Sequence, residues 1–325
     1  MSTLQKTKIK SVAELSQTLK VGVKEFVKTA KNANLFYRPF DLSKKGSEKW
    51  RHIDNPTGKL KIIQKAINKQ ILRDLMFQLP PNIMGGIENK SILENAKVHV
   101  GQEMVVTIDI KNCFPKTKNE VIFTIWKNLL GFEPNSARLL TQLTTTKGHL
   151  PQGSPASPSL SNLALLPISK EILNYSKKHH LNFTIYVDDI TLSGKKSSAL
   201  DSISPVVKII QKYGYAIRNK KVKKMPSYKT QTTTGIQLNS EISIGKQKID
   251  EIRKEIINLA KLQKPYITKK SIFSKIDYVK KISPEKGQKL LEFANMILEE
   301  DIDYIAVDPE KDEKRDCNGK ACLAK

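Results

Sequence analysis

NFTIYVDDITLSG, residues 182–194, sets two adjacent carboxylates, Asp188 and Asp189, between apolar runs. This is the pattern of a β-hairpin with a carboxylate pair at its tip. Upstream, EMVVTIDI (103–110) is rich in β-branched residues, reads as a second strand, and ends on Asp109. An Asp-Asp pair between strands is, taken alone, usually only a turn. If the two strands are sheet neighbours, however, three carboxylates converge. Three packed anions repel one another, so such a cluster is costly unless cations neutralise it.

Around these strands the pattern is helical. KLKIIQKAINKQILRDLMFQ (59–78) spaces Leu60, Ile63, Ile67, Ile71 and Leu75 along one helix face. Further helices are predicted at about 118–131 and 136–146 and through SPASPSLSNLALLPISKEILNYSKK (154–178). In the last, Pro158 suits the first turn and Pro167 should kink the middle. Residues from about 246 to 300 are again helical and Lys-rich. Gly235 and the polar stretch NSEISIGK after it mark a plausible boundary. The last twenty residues alternate charges and read as a mobile tail.

The chain has 325 residues, with 56 Lys and Arg against 32 Asp and Glu, a net charge of +24. The excess predicts a polyanionic partner without naming it, and its spread along the chain favours a long nucleic-acid track over one docking patch. The opening MSTLQKTKIKSVAELSQTLK lacks the apolar segment of a secretory signal. No apolar run approaches the roughly 20 residues of a spanning helix. Three cysteines, Cys113, Cys317 and Cys322, are too few for a disulfide framework and suit a reducing cytoplasm, so a cytoplasmic protein without membrane contact is expected. Cys317 and Cys322 lack the further ligands a metal site needs.

Tyr186-Val187-Asp188-Asp189 resembles the Tyr-x-Asp-Asp box of reverse transcriptases. LPQGSPASPSLSNL (150–163) is similar to their Leu-Pro-Gln-Gly-x-Pro-x-Ser-Pro segment, and VVTIDIKNCF (105–114) to the strand bearing their first catalytic aspartate. Three further stretches resemble the retron enzymes of bacteria: Asn95-Ala96-x-x-His99, WRHIDNPTGKLKIIQ (50–64), and Thr233-Thr234-Gly235 in place of a Val-Thr-Gly element. The matches cover roughly residues 37 to 240. The chain departs from the retron pattern at Val187, where alanine is commoner, at Asn112 and Cys113 before Phe114, at Gly85-Gly86 where a Gly-Phe pair is expected, and at Lys90, which replaces an arginine.

The resemblance implies an α+β right-hand polymerase: fingers and palm interleaved over 1–240, the palm an antiparallel sheet, then a helical thumb over 241–305 and a charged tail over 306–325. It implies RNA-directed DNA synthesis from dNTPs, with Asp109, Asp188 and Asp189 catalytic. These carboxylates, with the main chain of Ile110, would hold Mg²⁺ in a two-metal site, where the ions sit roughly 4 Å apart. Phe114 would stack under the incoming sugar, unless it is simply a core aromatic. Gln152, Gly153 and Tyr186 would line the nucleotide, Arg51 with Lys44 or Lys45 would hold its triphosphate, and Lys221 would stand near it, with Lys220 as the other register. Asn95 and His99 would be structural or RNA-contacting. Lys248, Arg253, Lys254, Lys269 and Lys270 would grip RNA or duplex phosphates, and Tyr266 or Phe273 could stack or pack.

For a retron enzyme the expected partners are a cognate non-coding RNA and its branched RNA–DNA product (msDNA), an effector protein in phage defence, and a host RNase H that removes RNA. Two rivals stay open: another bacterial reverse transcriptase, of abortive-infection or group II intron-like type, and a non-catalytic RNA-binding scaffold with the polymerase fold. Intact Asp109, Asp188 and Asp189 argue against the scaffold, which has no need of a repulsive cluster.

Overall fold

The structure is a computed structural model and describes residues 9, 11–43, 50–261 and 268–298. Lys44, Lys45, Tyr266, Cys317, Cys322 and the tail over 306–325 lie outside the described residues.

The chain divides into two compact units, Met1–Ser243 and Ile244–Lys325. The division falls inside the polar stretch after Gly235. The first unit opens with two helices, Val12–Thr18 and Val23–Lys31, the former capped by the Ser11 hydroxyl accepting from the Glu14 amide at 3.1 Å. Strands β1 (Tyr37–Ser43) and β2 (Trp50–Pro56) then form a two-stranded antiparallel ribbon, pairing Leu42 with Arg51 and Phe40 with Ile53. β1 is exposed beyond Tyr37 and β2 over its first three residues, so the ribbon lacks the end-to-end in-out alternation that would have announced it in the sequence.

The helix predicted over 59–78 runs as Gly58–Ile67, a π-helical turn at Asn68–Leu72, and Arg73–Met76. Leu60, Ile63, Ile67 and Ile71 are buried as the spacing predicts. The π turn widens the winding, so beyond it Leu72 and Met76 enter the core and Leu75 is only half-buried. The same device ends the helix Asn119–Thr124, which continues as a π turn over Ile125–Leu129 and buries Trp126 edge-on to Phe132.

The centre of this unit is a four-stranded antiparallel sheet in the order β4 (Asn182–Tyr186), β5 (Asp189–Gly194), β3 (Met104–Asp109), β6 (Lys223–Pro226). Met104, Val105, Val106 and Ile108 of β3 are all buried. Against it packs the helix Ser157–Lys178, which starts with Pro158 in its first turn and continues as one element past Pro167, whose ring lies on the exposed side. The helices of this unit, with Pro134–Thr144 among them, share one apolar core with the sheet, running from Leu15 to Tyr215. Among the described residues no helix is long and apolar enough to cross a membrane.

The second unit is helical: Lys246–Ala260, Lys269–Ile282 and Pro284–Leu298. Ile252, Ile256, Ile272, Ile276, Val279, Leu290 and Ala294 form its core. Gly287 lets the last two helices touch, since a Cβ there would lie 2.4 Å from the Lys280 Cα.

Candidate active site

The register of three strands assembles the carboxylates. β3 and β5 run antiparallel with Asp109 opposite Asp189, and β4 pairs with β5 so that Tyr186 lies opposite Asp189. Only Val187 and Asp188 are left to make the turn. The Ile110 amide donates to the Asp188 carbonyl at 3.0 Å and ties this tip to the end of β3. Two-residue hairpins need positive φ in the loop and favour glycine there. Here Val187 takes φ 59°, a left-handed conformation that is strained for a β-branched residue.

The segment leading into Gly85-Gly86 supports that tip from behind. Residues 82–85 run beside β4, the Ile185 amide donating to the Asn82 carbonyl at 2.9 Å and the Met84 amide to the Ile185 carbonyl at 2.8 Å. A Cβ on Gly85 would sit 2.4 Å from the Val187 amide nitrogen and 2.9 Å from the Tyr186 carbonyl carbon. Gly85-Gly86 is thus more than a departure from a motif: at Gly85 only a glycine lets the two backbones meet. The Asn162 amide donates to the Gly85 carbonyl at 2.8 Å, and Lys90 donates to the carbonyls of Ile83 (2.7 Å) and Pro81 (3.2 Å), fixing the segment.

The carboxylates repel one another. Loss of hydration, then the charge of Asp109, raises the Asp188 pKa. Asp189 is raised to about 6 by loss of hydration and by the charges of Asp188 and Asp109. Asp109 is met by two cations: Arg218 Nε lies 3.0 Å from its Oδ1 and Lys221 Nζ 2.8 Å from its Oδ2. The Arg218 contact is an ion pair without proper hydrogen-bond geometry, so the buried Oδ1 accepts no hydrogen bond.

Among the described residues no three His, Cys, Asp or Glu side chains close around a common point, and Asp109 is engaged by Arg218 and Lys221. The donor set nonetheless suits a hard divalent cation: carboxylate oxygens on rigid strands, one of them buried and unsatisfied, and two acids held above their usual range. Ile110 is fully buried, so only its backbone could join such a site.

The remaining expected residues fall as follows. Lys221, and not Lys220, is the lysine on Asp109. Arg218 was missed; it stands in the basic run RNKKVKK (218–224), where nothing in the sequence sets it apart. Arg51 on β2 is exposed and close enough for its charge to favour ionised Asp188. Phe114 is half-buried beside the core, in the short helix Cys113–Lys116, and Tyr186 is half-buried. Gln152 takes the Asp54 amide on its carbonyl at 2.8 Å. Gly153, at φ 129°, lies so close to β2 that a Cβ would meet Ile53 Cγ2 at 2.9 Å. Ser154 donates to the buried Gln64 at 2.8 Å, and Gln64 in turn donates to Tyr37 and to the Leu143 carbonyl. The loop carrying Gln152 and Gly153 is therefore held by the β1–β2 ribbon and the helix behind it.

Two expected RNA contacts need correction. Asn95 and His99 are both fully buried. His99 Nδ1 lies 2.7 Å from the Ser193 hydroxyl and Nε2 2.8 Å from the Thr184 hydroxyl, while Asn95 donates to Thr233 at 3.3 Å. They join the back of β4 and β5 to the turn at Thr234-Gly235, and of the two roles expected only the structural one is open to them. In the second unit, Arg253 covers the Phe293 ring, Lys248 meets Glu251 at 3.2 Å, and Lys269 reaches the Leu298 carbonyl at 3.4 Å. Lys254 and Lys270 are exposed. Phe273 is half-buried.

Residues 42–240 match the family model for reverse transcriptase (RNA-dependent DNA polymerase). The chain is similar to the Retron Ec86 reverse transcriptase of Escherichia coli, 31% identical over 252 residues that cover 75% of this chain and 76% of that protein. It is also similar to the Retron Se72 reverse transcriptase of Salmonella heidelberg (strain 579083-10), 29% identical over 63% of this chain and 53% of that one. In fold it is similar to telomerase from Candida albicans, with a TM-score of 0.52 at 11% identity, covering 81% of this chain and 55% of that one.

Proposed function

Since this chain belongs to the reverse transcriptase (RNA-dependent DNA polymerase) family, as a retron-type member with the right-hand polymerase fold, we propose that it copies a cognate non-coding RNA into a branched RNA–DNA (msDNA). The observation that carries the catalytic part is the register that puts Asp109 opposite Asp189 with Asp188 at the adjoining tip.

In the reaction a sugar hydroxyl oxygen attacks the α-phosphorus of a dNTP and gives up its proton to solvent, a P–O bond forms, the bond to the β-phosphate breaks, and pyrophosphate leaves. In a retron the first attacker is a 2′-hydroxyl of an internal guanosine, which makes the branch; later attackers are 3′-hydroxyls. Asp109, Asp188 and Asp189, with the Ile110 carbonyl, would hold Mg²⁺, which when bound supplies charge stabilisation for the attacking and leaving oxygens. Arg51 and Lys221 bring positive charge toward the triphosphate, the guanidinium in bidentate fashion and the ammonium as a point charge. Lys221 is paired with Asp109 and would be freed to reach the triphosphate if that carboxylate held a cation. Gln152 and Gly153 border the nucleotide, the glycine permitting close backbone approach. Phe114 and Tyr186 flank its sugar. The helices of the second unit act as a thumb that grips phosphates. An effector protein in phage defence and a host RNase H acting on the product complete the system, in the cytoplasm.

Asp188→Asn is expected to abolish DNA synthesis while RNA binding survives. Expressing the chain with its neighbouring DNA and running extracted nucleic acid on a denaturing gel tests the rest. A short DNA that shifts on debranching, and is lost in Asp188→Asn, is the expected result. Primer extension on a supplied RNA template without such a species would discard the retron product and keep the polymerase.

A further inference from the structure

The first unit carries a second concave site that shares no residue with the aspartate corner. A notch of about 220 Å³ opens between the end of the helix Val23–Lys31, the start of the helix Asn119–Thr124 and the turn at Thr146–His149, lined among others by Lys31, Asn34, Asn119, Gln142, Lys147 and Gly148. Its volume is several times the ~30 Å³ share of a water molecule. The walls are rigid: Thr146 and His149 exchange both backbone hydrogen bonds at 2.9 Å, Lys147 and Gly148 take φ 47° and 79°, and the Asn119 amide donates to the Gly148 carbonyl at 3.1 Å. The side-chain amides of Asn119 and Gln142 line this space without a hydrogen-bond partner among the described residues.

A second, shallower hollow of about 450 Å³ adjoins it along the helix, with Lys24, Lys28 and Lys31 on its wall beside Val23 and Val27; Lys31 belongs to both. The helix buries Phe26, Thr29 and Ala30 and turns the three lysines outward. They stand about 6 Å and 4.5 Å apart along the axis, on one face of the helix, within reach of a single phosphate backbone. Neither lining contains an acidic residue. Glu25, the acid of this helix, is paired with Lys59 at 2.6 Å.

We propose that this notch and the lysine row leading into it form a binding site for a single-stranded nucleic-acid segment, phosphates on Lys24, Lys28 and Lys31 and one unstacked base in the notch against Asn119 and Gln142. Amide groups offer both donors and acceptors, as reading a base edge requires. A duplex does not fit, because its bases are stacked and paired; single strands can splay a base out. An acidic protein surface would satisfy the lysines and leave the amides of the notch unused, so the notch favours a polynucleotide.

The test uses the full chain and two probes, an oligouridylate carrying 4-thiouridine and its deoxy counterpart carrying 4-thiothymidine. Photocrosslinks are expected on the peptides holding residues 24–34 and 142–148, in the Asp188→Asn protein as well, so that the result does not hang on polymerase activity. The triple variant Lys24→Gln/Lys28→Gln/Lys31→Gln is expected to lose those crosslinks. It should flatten the slope of log K against log salt by about 2, at roughly 0.7 per phosphate contact on a single strand. The control Lys177→Gln/Lys178→Gln/Lys195→Gln removes equal charge elsewhere and should flatten it less. Equal loss with both probes assigns the site to any single strand, and loss with the ribo-probe alone assigns it to RNA. Crosslinks confined to other peptides, or equal slopes for the two triple variants, overturn the proposal. Gln142→Ala should lower crosslinking at the notch and leave the salt slope in place; an unchanged crosslink would remove the base pocket.

Discussion

His99 shows how burial redirects a residue that the sequence leaves ambiguous. Its ring is wholly enclosed, and loss of hydration drives its pKa down to about 3, so it stays neutral with one nitrogen donating and the other accepting. A depressed histidine contributes stability that is complete above its ordinary 6.5 and is lost as pH falls from there toward 3. His99→Leu leaves the hydroxyls of Ser193 and Thr184 without this partner, and should cost about 2–4 kcal/mol in urea denaturation while removing part of that acid lability. The folded variant should bind RNA as wild type does; lost RNA affinity with unchanged stability would instead mean direct contact. Asp189 has the opposite sign. Its raised pKa makes a contribution that is complete below 3.8 and is lost as pH rises through about 6. In chelator-treated protein Asp189→Asn should therefore melt higher than wild type at about pH 7.5, with the difference shrinking as pH falls below about 6 and closing only toward 3.8. A difference independent of pH would show that Asp189 is not held up by its neighbours.

At the scale of elements, the hairpin at Val187-Asp188 is strained and is pressed from behind by residues 82–85. Gly85→Ala must displace either the tip or its support, since the added carbon meets backbone at 2.4 Å. A 1 Å misplacement in an active site costs on the order of 10²-fold, and a loss of that order in kcat, with KM for dNTP little changed, is expected. Val187→Gly relieves both the positive φ and the contact with Val187 Cγ2 at 2.6 Å, so the double variant should recover part of the rate. If Gly85→Ala synthesises DNA normally, the tip does not need this support. The helices were readable where their apolar stripe was regular. The π turns at Asn68–Leu72 and Ile125–Leu129 were not, because a one-residue slip in winding is set by what each turn packs against.

For the whole molecule, the charge of +24 is a statement about partners, and burial and pairing decide which cations remain available to them. In the second unit Lys254 and Lys270 are exposed, whereas Lys248 is engaged by Glu251 and Arg253 by Phe293. Lys254→Gln/Lys270→Gln should flatten the salt dependence of duplex binding by about 1.8, at roughly 0.9 per phosphate, and shorten the products of one binding event. Lys248→Gln should do less than either single change. Equal effects of all three would mean that net charge alone is at work.

The sequence by itself determined the chemistry on offer. Strands ending in Asp109 and flanking Asp188-Asp189 were legible because β-branched runs and a carboxylate pair are local patterns, and the polymerase fold followed from the resemblance of these motifs to those of reverse transcriptases. The tertiary structure alone decided that Asp109 stands opposite Asp189 with Arg218 and Lys221 on it, that Gly85 abuts the turn, and that Asn95 and His99 are enclosed. These are contacts between residues some 80 to 140 positions apart, made by packing and sheet register, and no local pattern in the chain encodes which distant group will fill the other side.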